Sequence, residues 1–352
     1  MEAGTEWVCM LKGDGAAAIC TEIRRLLDQA VRRCLDGRRV AIMLSGGLDT
    51  SIVAAIVCRY SKPDAYTVAL RGAPAPDAGC AALMAKALGI RHTVHCMDEA
   101  EVLELVPMVV KVLRTYDPME VRNSLAVYAG MRAAKREGAE VVLTGDGADE
   151  LMAGYSFAFG LGKEELDAQL RRLWSAMAFS PRPIAESLGM TASIPFLDPD
   201  FMSYAMEMDS GYKVGSEVGQ VYGKYILRKA FEGMLPREIA WRAKVPIEAG
   251  SGTASLPKLF GSRVGDAEYA GRRALYLRED GVTIRDKEHL AYYEAFRAEF
   301  GAPRPAERGK ACPQCRSGVP DGATFCRTCG AYPYDQMKAA GGGGADRRVR
   351  TL

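Results

Sequence analysis

The chain has 352 residues, 48% of them hydrophobic and 26% charged, a balance that suits a globular protein with a full core and a length that suggests two domains. The net charge of +2 gives no general case for nucleic-acid or membrane binding. No apolar run reaches the roughly 18 residues that span a bilayer, and the opening MEAGTEWVCM lacks the basic-then-apolar layout of a secretory signal, so the expected location is cytoplasmic with no membrane partner.

In chain order, residues 17–36 carry apolar residues at helical spacing within an N-terminal helical segment, 1–36. Residues 38–44 read as a short buried strand, 45–47 as a Gly-rich turn and 48–60 as a helix. Strands are predicted at 65–70, 92–97 and 140–144, and helices at 77–88, 99–115 and 121–138. Strands alternating with helices predict an α/β fold, a parallel sheet covered on both faces with ligands at the carboxyl ends of its strands. Both Gly-rich turns, after residues 44 and 144, fall at such ends. From 163 to about 300 the pattern is mainly helical, with loops near 180–199 and 243–257. Residues 301–311 read as a linker, 312–334 as a small cysteine module, and the Gly-rich basic tail 335–352 as disordered. There is no internal repeat.

Ser45-Gly46-Gly47-Leu48-Asp49-Thr50-Ser51 is the first chemical signal. Two glycines let the backbone approach phosphate oxygens, and the amides there and at the next helix form an anion nest. Ser45, Thr50 and Ser51 add hydroxyl donors. Asp49 beside phosphate calls for a cation between them, so its presence implies Mg²⁺. The plainer reading of a Gly-Gly-x-Asp alone is a strand-to-helix turn with a dipole partner. The full string resembles the signature of the PP-loop ATP-pyrophosphatases, which cleave ATP between the α and β phosphates.

Thr144-Gly145-Asp146-Gly147-Ala148-Asp149-Glu150 sets three acids within five residues, followed by Gly154-Tyr155. A solvated acidic turn is the bland alternative. With these residues the chain resembles the synthetase domain of the asparagine synthetases. The resemblance implies an adenine nucleotide alpha-hydrolase-like (PP-loop) domain over 37–300 with a helical extension. It implies Asp149 as a second Mg²⁺ ligand opposite Asp49, and Asp146, where asparagine synthetases have Glu, as acceptor of the proton of the attacking amine.

The likeness continues through Tyr116-Asp117 with Arg122, Ile194-Pro195-Phe196-Leu197-Asp198, the run Lys224 to Phe231, Leu235-Pro236 and Arg242-Ala243-Lys244. It implies that Lys244 reaches the leaving pyrophosphate, that Gly145 and Lys224 join the phosphate site, and that Leu44 and Val68 flank adenine. Arg122 and Arg182 are candidates for a substrate carboxylate. Asparagine synthetases carry an acid and an arginine just before P-F-L-D, whereas this chain has Thr191-Ala192-Ser193, which argues against assuming aspartate. Glutamine-dependent members begin with a catalytic Cys; here Met1 is followed by Glu2, so free ammonia, a separate glutaminase subunit or another amine is the expected nitrogen donor.

Of ten cysteines, six are scattered and read as reduced thiols. Cys312-x-x-Cys315 and Cys326-x-x-Cys329 have zinc-ribbon spacing, implying a closed structural Zn²⁺ site, with a redox dithiol pair as the alternative. Such a module is expected to contact protein or RNA. The leading function is ATP-dependent amide formation from a carboxylate, aspartate or a related acid. The alternatives are a tRNA-modifying enzyme that adenylates a base, and a non-catalytic ATP-binding scaffold.

Overall fold

The structure, a computed structural model, describes residues 14–305, 310–320 and 323–333; the expected tail and the first 13 residues lie outside these. Five parallel strands form the sheet: β1 (Val40–Met43), β2 (Asp64–Leu70), β3 (His92–Met97), β4 (Val141–Leu143) and β5 (Thr191–Ser193), in the order β3-β2-β1-β4-β5. The order reverses between β1 and β4, so the loops leaving these two strands diverge from one cleft, where a parallel sheet exposes its ligand site. Strand side chains alternate between two cores. Ala41 and Val142 join one, while Val40, Ile42, Val141 and Leu143 join the other.

α1 (Asp14–Arg33) precedes the first strand, and between the strands run α2 (Leu48–Val57), α3 (Pro76–Leu88), α4 (Glu99–Leu113), α5 (Pro118–Arg136) and the single turn α6 (Ala148–Leu151). The start of α5 lies three residues before the predicted 121, because Asp117 accepts from the Met119 amide (3.2 Å) and Pro118 takes the first helical position. β5 was not predicted: its three residues, Thr-Ala-Ser, carry no apolar alternation and pair on one side only. The helical extension follows as α7 (Lys163–Ser175), α8 (Pro181–Ser187), α9 (Pro199–Glu207), the hairpin β6 (Val214–Glu217) and β7 (Gln220–Gly223), then α10 (Tyr225–Phe231), α11 (Arg237–Ala240), α12 (Ile247–Ser251), α13 (Leu256–Arg263), α14 (Asp266–Glu279) and α15 (Lys287–Phe300). No helix among the described residues is long and apolar enough to cross a membrane.

The cysteine module is built on β8 (Lys310–Ala311) and β9 (Gly318–Val319), an antiparallel pair. It does not hang from a linker as a separate body. Its four cysteines, Val319 and Ala331 belong to the same apolar cluster as Tyr116, Val282, Tyr293 and Phe296. Backbone bonds join the two parts, from the Tyr116 amide to the Thr328 carbonyl (2.9 Å) and from the Thr283 amide to the Gln314 carbonyl (2.8 Å).

Candidate active site

The first loop is held by the end of β1. The Leu44 amide donates to the Tyr66 carbonyl (2.8 Å), and the Leu44 carbonyl accepts from Thr67 Oγ1 (2.5 Å). Gly46 then takes a φ of +65°, and a Cβ there would lie 2.4 Å from the Ala81 amide nitrogen, so both the turn and the approach of α3 require glycine. Ser45 Oγ accepts from the Gly47 amide (3.2 Å) and lies 3.1 Å from Thr50 Oγ1. Gly47 caps α2 without a side-chain bond, which leaves the first-turn amides of this ten-residue helix without an intrahelical acceptor. Such an end attracts an anion.

The second loop abuts the first. A Cβ on Gly145 would lie 2.8 Å from Asp49 Cβ and 2.9 Å from the Thr50 nitrogen. Two acidic residues therefore face each other across the cleft, Asp49 from α2 and Asp149 from α6. Lys224 stands between them, with Nζ 2.5 Å from Asp49 Oδ2 and 2.7 Å from Asp149 Oδ1, and only 4% of its side chain is exposed. Lys224 reaches this point from a left-handed backbone conformation (φ 55°), uncommon for lysine, fixed by its amide bond to the Met152 carbonyl (2.9 Å). Lys244 pairs with the second oxygen of Asp149.

The charges set each other's protonation. Burial pushes Asp149 up, but Lys224 and Lys244 outweigh it and hold the carboxyl below its usual range. Asp49 goes the other way: burial dominates the pull of Lys224 and raises it. Its Oδ1 is buried with no hydrogen-bond partner. Burial also raises Asp146. Burial depresses Lys244, but Asp149 and Asp49 more than offset this and leave it raised. Two converging carboxylates, one with a buried free oxygen, are the hard oxygen donors that Mg²⁺ takes, so the residues fit that ion.

Arg242 fixes the distal strap. It donates to the Ser45 carbonyl (3.0 Å) and to Asp77 Oδ1 (2.7 Å), tying the segment that carries Lys244 to the first loop. The result is a cavity of about 150 Å³ whose lining includes Ser45, Asp49, Asp146, Lys224 and Lys244. A second cavity, about 250 Å³, shares Asp146, Asp149 and Lys244 with it and extends to Glu120, Asn123, Phe179 and Phe325. Burial, with Asp117 adding to it, raises Glu120 to about 7.

Of the residues singled out from the sequence, Ser45, Gly47, Asp49, Thr50, Gly145, Asp146, Asp149, Lys224 and Lys244 line the first cavity. Gly46 and buried Ser51 support the loop from behind, and Leu44 and Val68 are buried in the sheet core without lining either cavity. Arg122 and Arg182 are not brought there. The Arg122 guanidinium is bound in two places by Glu288, whose side chain is 1% exposed, and Arg182 is an exposed residue of α8. Sequence reasoning missed Asp77, Glu120 and Asn123; a lone acid or amide in a helix carries no motif, and only the fold turns them inward. A larger open cleft of about 580 Å³ contains none of these groups. Three of its four arginines are already engaged by oxygen atoms, Arg24 with the Ala230 carbonyl (2.8 Å), Arg25 with Glu22 (2.5 Å) and Arg59 with Asp28 (2.6 Å), and Arg32 lies 5.5 Å from the Tyr60 ring.

In the cysteine module, all four Sγ atoms lie within 4.8 Å of one another. Cys312 and Cys329 are 3.7 Å apart and Cys315 and Cys326 are 3.6 Å apart. These are near the ~3.8 Å edge of a tetrahedron with metal–sulfur bonds of about 2.3 Å, and far from the ~2.05 Å of a disulfide. The cluster fits zinc and leaves no open coordination position.

The sequence pattern of the family described as asparagine synthase matches residues 22–188 and 184–308. A probable glutamine-hydrolyzing asparagine synthetase of Dictyostelium discoideum is 30% identical over 308 residues, covering 79% of this chain and 55% of that protein. Asparagine synthetase B of Escherichia coli K12 is 28% identical over 338 residues, covering 90% and 58%. The chain thus spans a little over half the length of these relatives. Among solved structures, an NMN synthetase from Francisella tularensis aligns over 81% of this chain and 94% of its own at a TM-score of 0.38 and 14% identity. The family pattern, which spans most of the chain, and the Dictyostelium relative agree with the two-loop site: the chain belongs to the asparagine synthase family.

Proposed function

We propose that this protein is an AMP-forming carbon–nitrogen ligase that activates a carboxylate with ATP and transfers ammonia or an amine to it. The observation that carries the reading is the meeting of Asp49, Asp149, Lys224 and Lys244 between two glycine loops at the switch point of the sheet. In this reading the carboxylate oxygen attacks the α-phosphorus of ATP and pyrophosphate leaves. The amine nitrogen then attacks the acyl carbon, its proton passes to Asp146, and AMP leaves.

The first-turn amides of α2 and the hydroxyls of Ser45 and Thr50 bind the β and γ phosphates. Lys244 neutralises charge that builds on the departing pyrophosphate, a role suited to a mobile point charge. Asp49 and Asp149 would hold Mg²⁺, which supplies charge compensation to the phosphates. Asp146, raised by burial and lining both cavities, is the base. A zinc ion held by Cys312, Cys315, Cys326 and Cys329 is structural. The nitrogen is drawn from free ammonia, an organic amine or a separate glutaminase subunit.

The test is release of AMP and pyrophosphate from Mg-ATP with ammonium, with aspartate first and then a panel of carboxylates and amines. Matched amounts of AMP, pyrophosphate and amide support the reading. No turnover with any small carboxylate, but turnover on addition of tRNA, rejects it in favour of a nucleic-acid substrate.

A further inference from the structure

The ribbon offers less free surface than its sequence suggests, because one side of it is used inside the molecule. Three sets of contacts dock it. The Thr115 hydroxyl donates to the Arg327 carbonyl (2.6 Å), next to the Tyr116 amide bond to Thr328 (2.9 Å). Arg285 donates to the Cys329 carbonyl (2.6 Å) and to Gln314 Oε1 (3.1 Å). The Arg327 guanidinium reaches over to the Ala176 carbonyl (2.5 Å), just past α7. The fit is close: a Cβ on Gly330 would lie 2.1 Å from Asp117 Oδ1.

Two of these contact points, Asp117 and Ala176, lie in the lining of the second cavity. Asp117, Glu120 and Asn123 come from one rim, Ala176 and Phe179 from the other, and Phe325 of the ribbon lies between them. Phe325 and Arg327 also line the adjoining space of about 270 Å³. The cavity that Phe325 closes is the one that opens onto Asp146 and Lys244.

We propose that the zinc-held ribbon is a wall of the acceptor pocket, with Phe325 as a specificity-determining residue, so that metal binding governs the acceptor pocket and leaves the ATP loops unaffected. This rests on the ligase reading for the word acceptor, but the wall itself rests on contacts alone. A module of this size has little core besides its four thiolates, so the metal supplies its order and the wall depends on it. Among the described residues, none of the hydrogen bonds that dock the ribbon involves Ser45–Ser51 or the Asp49–Lys224–Asp149 group. The pocket surface that Phe325 completes is part aromatic, with Phe179, and part acceptor, with Glu120 and with Asn123 Oδ1, which is buried without a donor. It therefore takes an acceptor that combines N–H donors with an apolar face; bare ammonia has the N–H bonds but no apolar face.

The experiment is hydrogen exchange on the full-length protein, zinc-loaded and after chelation, beside calorimetric titration with Mg-ATP. Zinc removal should raise exchange at least tenfold at Tyr116 and across 115–123 and 174–180, while 45–51 and the ATP dissociation constant change less than twofold. Unchanged exchange in those two segments overturns the proposal, as does parallel loss of ATP binding. Phe325→Ala in the zinc-loaded protein keeps the ligands and separates the wall from the metal. It should leave ATP affinity unchanged and alter the order of preference among amines, with KM shifts of tenfold or more at little change in kcat. An unchanged order of preference also overturns it. Failure of the ligase reading is distinct, since the zinc-loaded wild type would then form no AMP with any amine while the exchange result still stands.

Discussion

The ammonium of Lys224 lies 2.5 Å from Asp49, inside a site where only 4% of the lysine side chain meets solvent. Without that cation Asp49 would lose its ion pair and Asp149 would keep only Lys244. Lys224→Met should therefore destabilise the protein by roughly 3–5 kcal/mol, the usual cost of stripping one partner from a buried pair. Urea unfolding with and without millimolar Mg²⁺ checks it: the ion should restore part of the loss, because it can take the place of the missing charge.

Lys244 is placed differently, one-third exposed, ion-paired with Asp149 and 5.3 Å from the Tyr155 ring. Lys244→Ala should lower kcat about 10²–10³-fold, the range for losing one preorganised stabiliser of transition-state charge. ATP binding by calorimetry should change little. A parallel fall in affinity would mean that Lys244 binds the ground state equally.

Gly145 has no room for a methyl group, since its Cβ would lie 2.9 Å from the backbone nitrogen of Thr50. Gly145→Ala should push the two loops apart at a cost of about 1–3 kcal/mol and weaken ATP binding by the corresponding factor, about fivefold or more. The titration that shows this should also show an unchanged fold by circular dichroism.

Lys213 is fully buried, and burial lowers its ammonium from 10.5 to about 8. Between those values the unfolded chain binds more protons than the folded one, so this residue makes stability rise with pH across about 8 to 10.5. Below that window its charge costs stability, partly offset by a bond to the Ala205 carbonyl (2.6 Å) and the Trp174 ring. Lys213→Met should gain up to about 3 kcal/mol at pH 7, and that gain should shrink above pH 8. Denaturant melts of both proteins at several pH values measure the difference.

Arg122 is held by Glu288 away from both cavities. Arg122→Ala should cost roughly 3–5 kcal/mol of stability as a broken buried pair. At a temperature where the variant stays folded, KM for the carboxylate should be near wild type. A hundredfold rise in that KM would return Arg122 to a substrate role.

The sheet and its two loops were legible because their signals are local. An apolar run that stops at Ser45-Gly46-Gly47, and another at Gly145-Asp146-Gly147, each state strand, turn and helix within about ten residues. β5 was not legible, because Thr191-Ala192-Ser193 forms a strand only by pairing with β4. The roles of Asp77 and Glu120 depend on helices meeting loops far away in sequence, as Asp77 does with Arg242. Arg122 had the right motif, but its partner Glu288 lies 166 residues on. The cysteine spacing announced the four-thiol cluster, but the docking against Tyr116 and Asp117 depends on a fold the module shares with the main core.

The most direct test of the ligase reading follows oxygen. With an accepted carboxylate labelled with ¹⁸O, one labelled oxygen should appear in the AMP, because the carboxylate oxygen that attacks phosphorus stays with it when the nitrogen displaces AMP. Label found only in the amide, or ADP and phosphate in place of AMP and pyrophosphate, would contradict adenylation at this site.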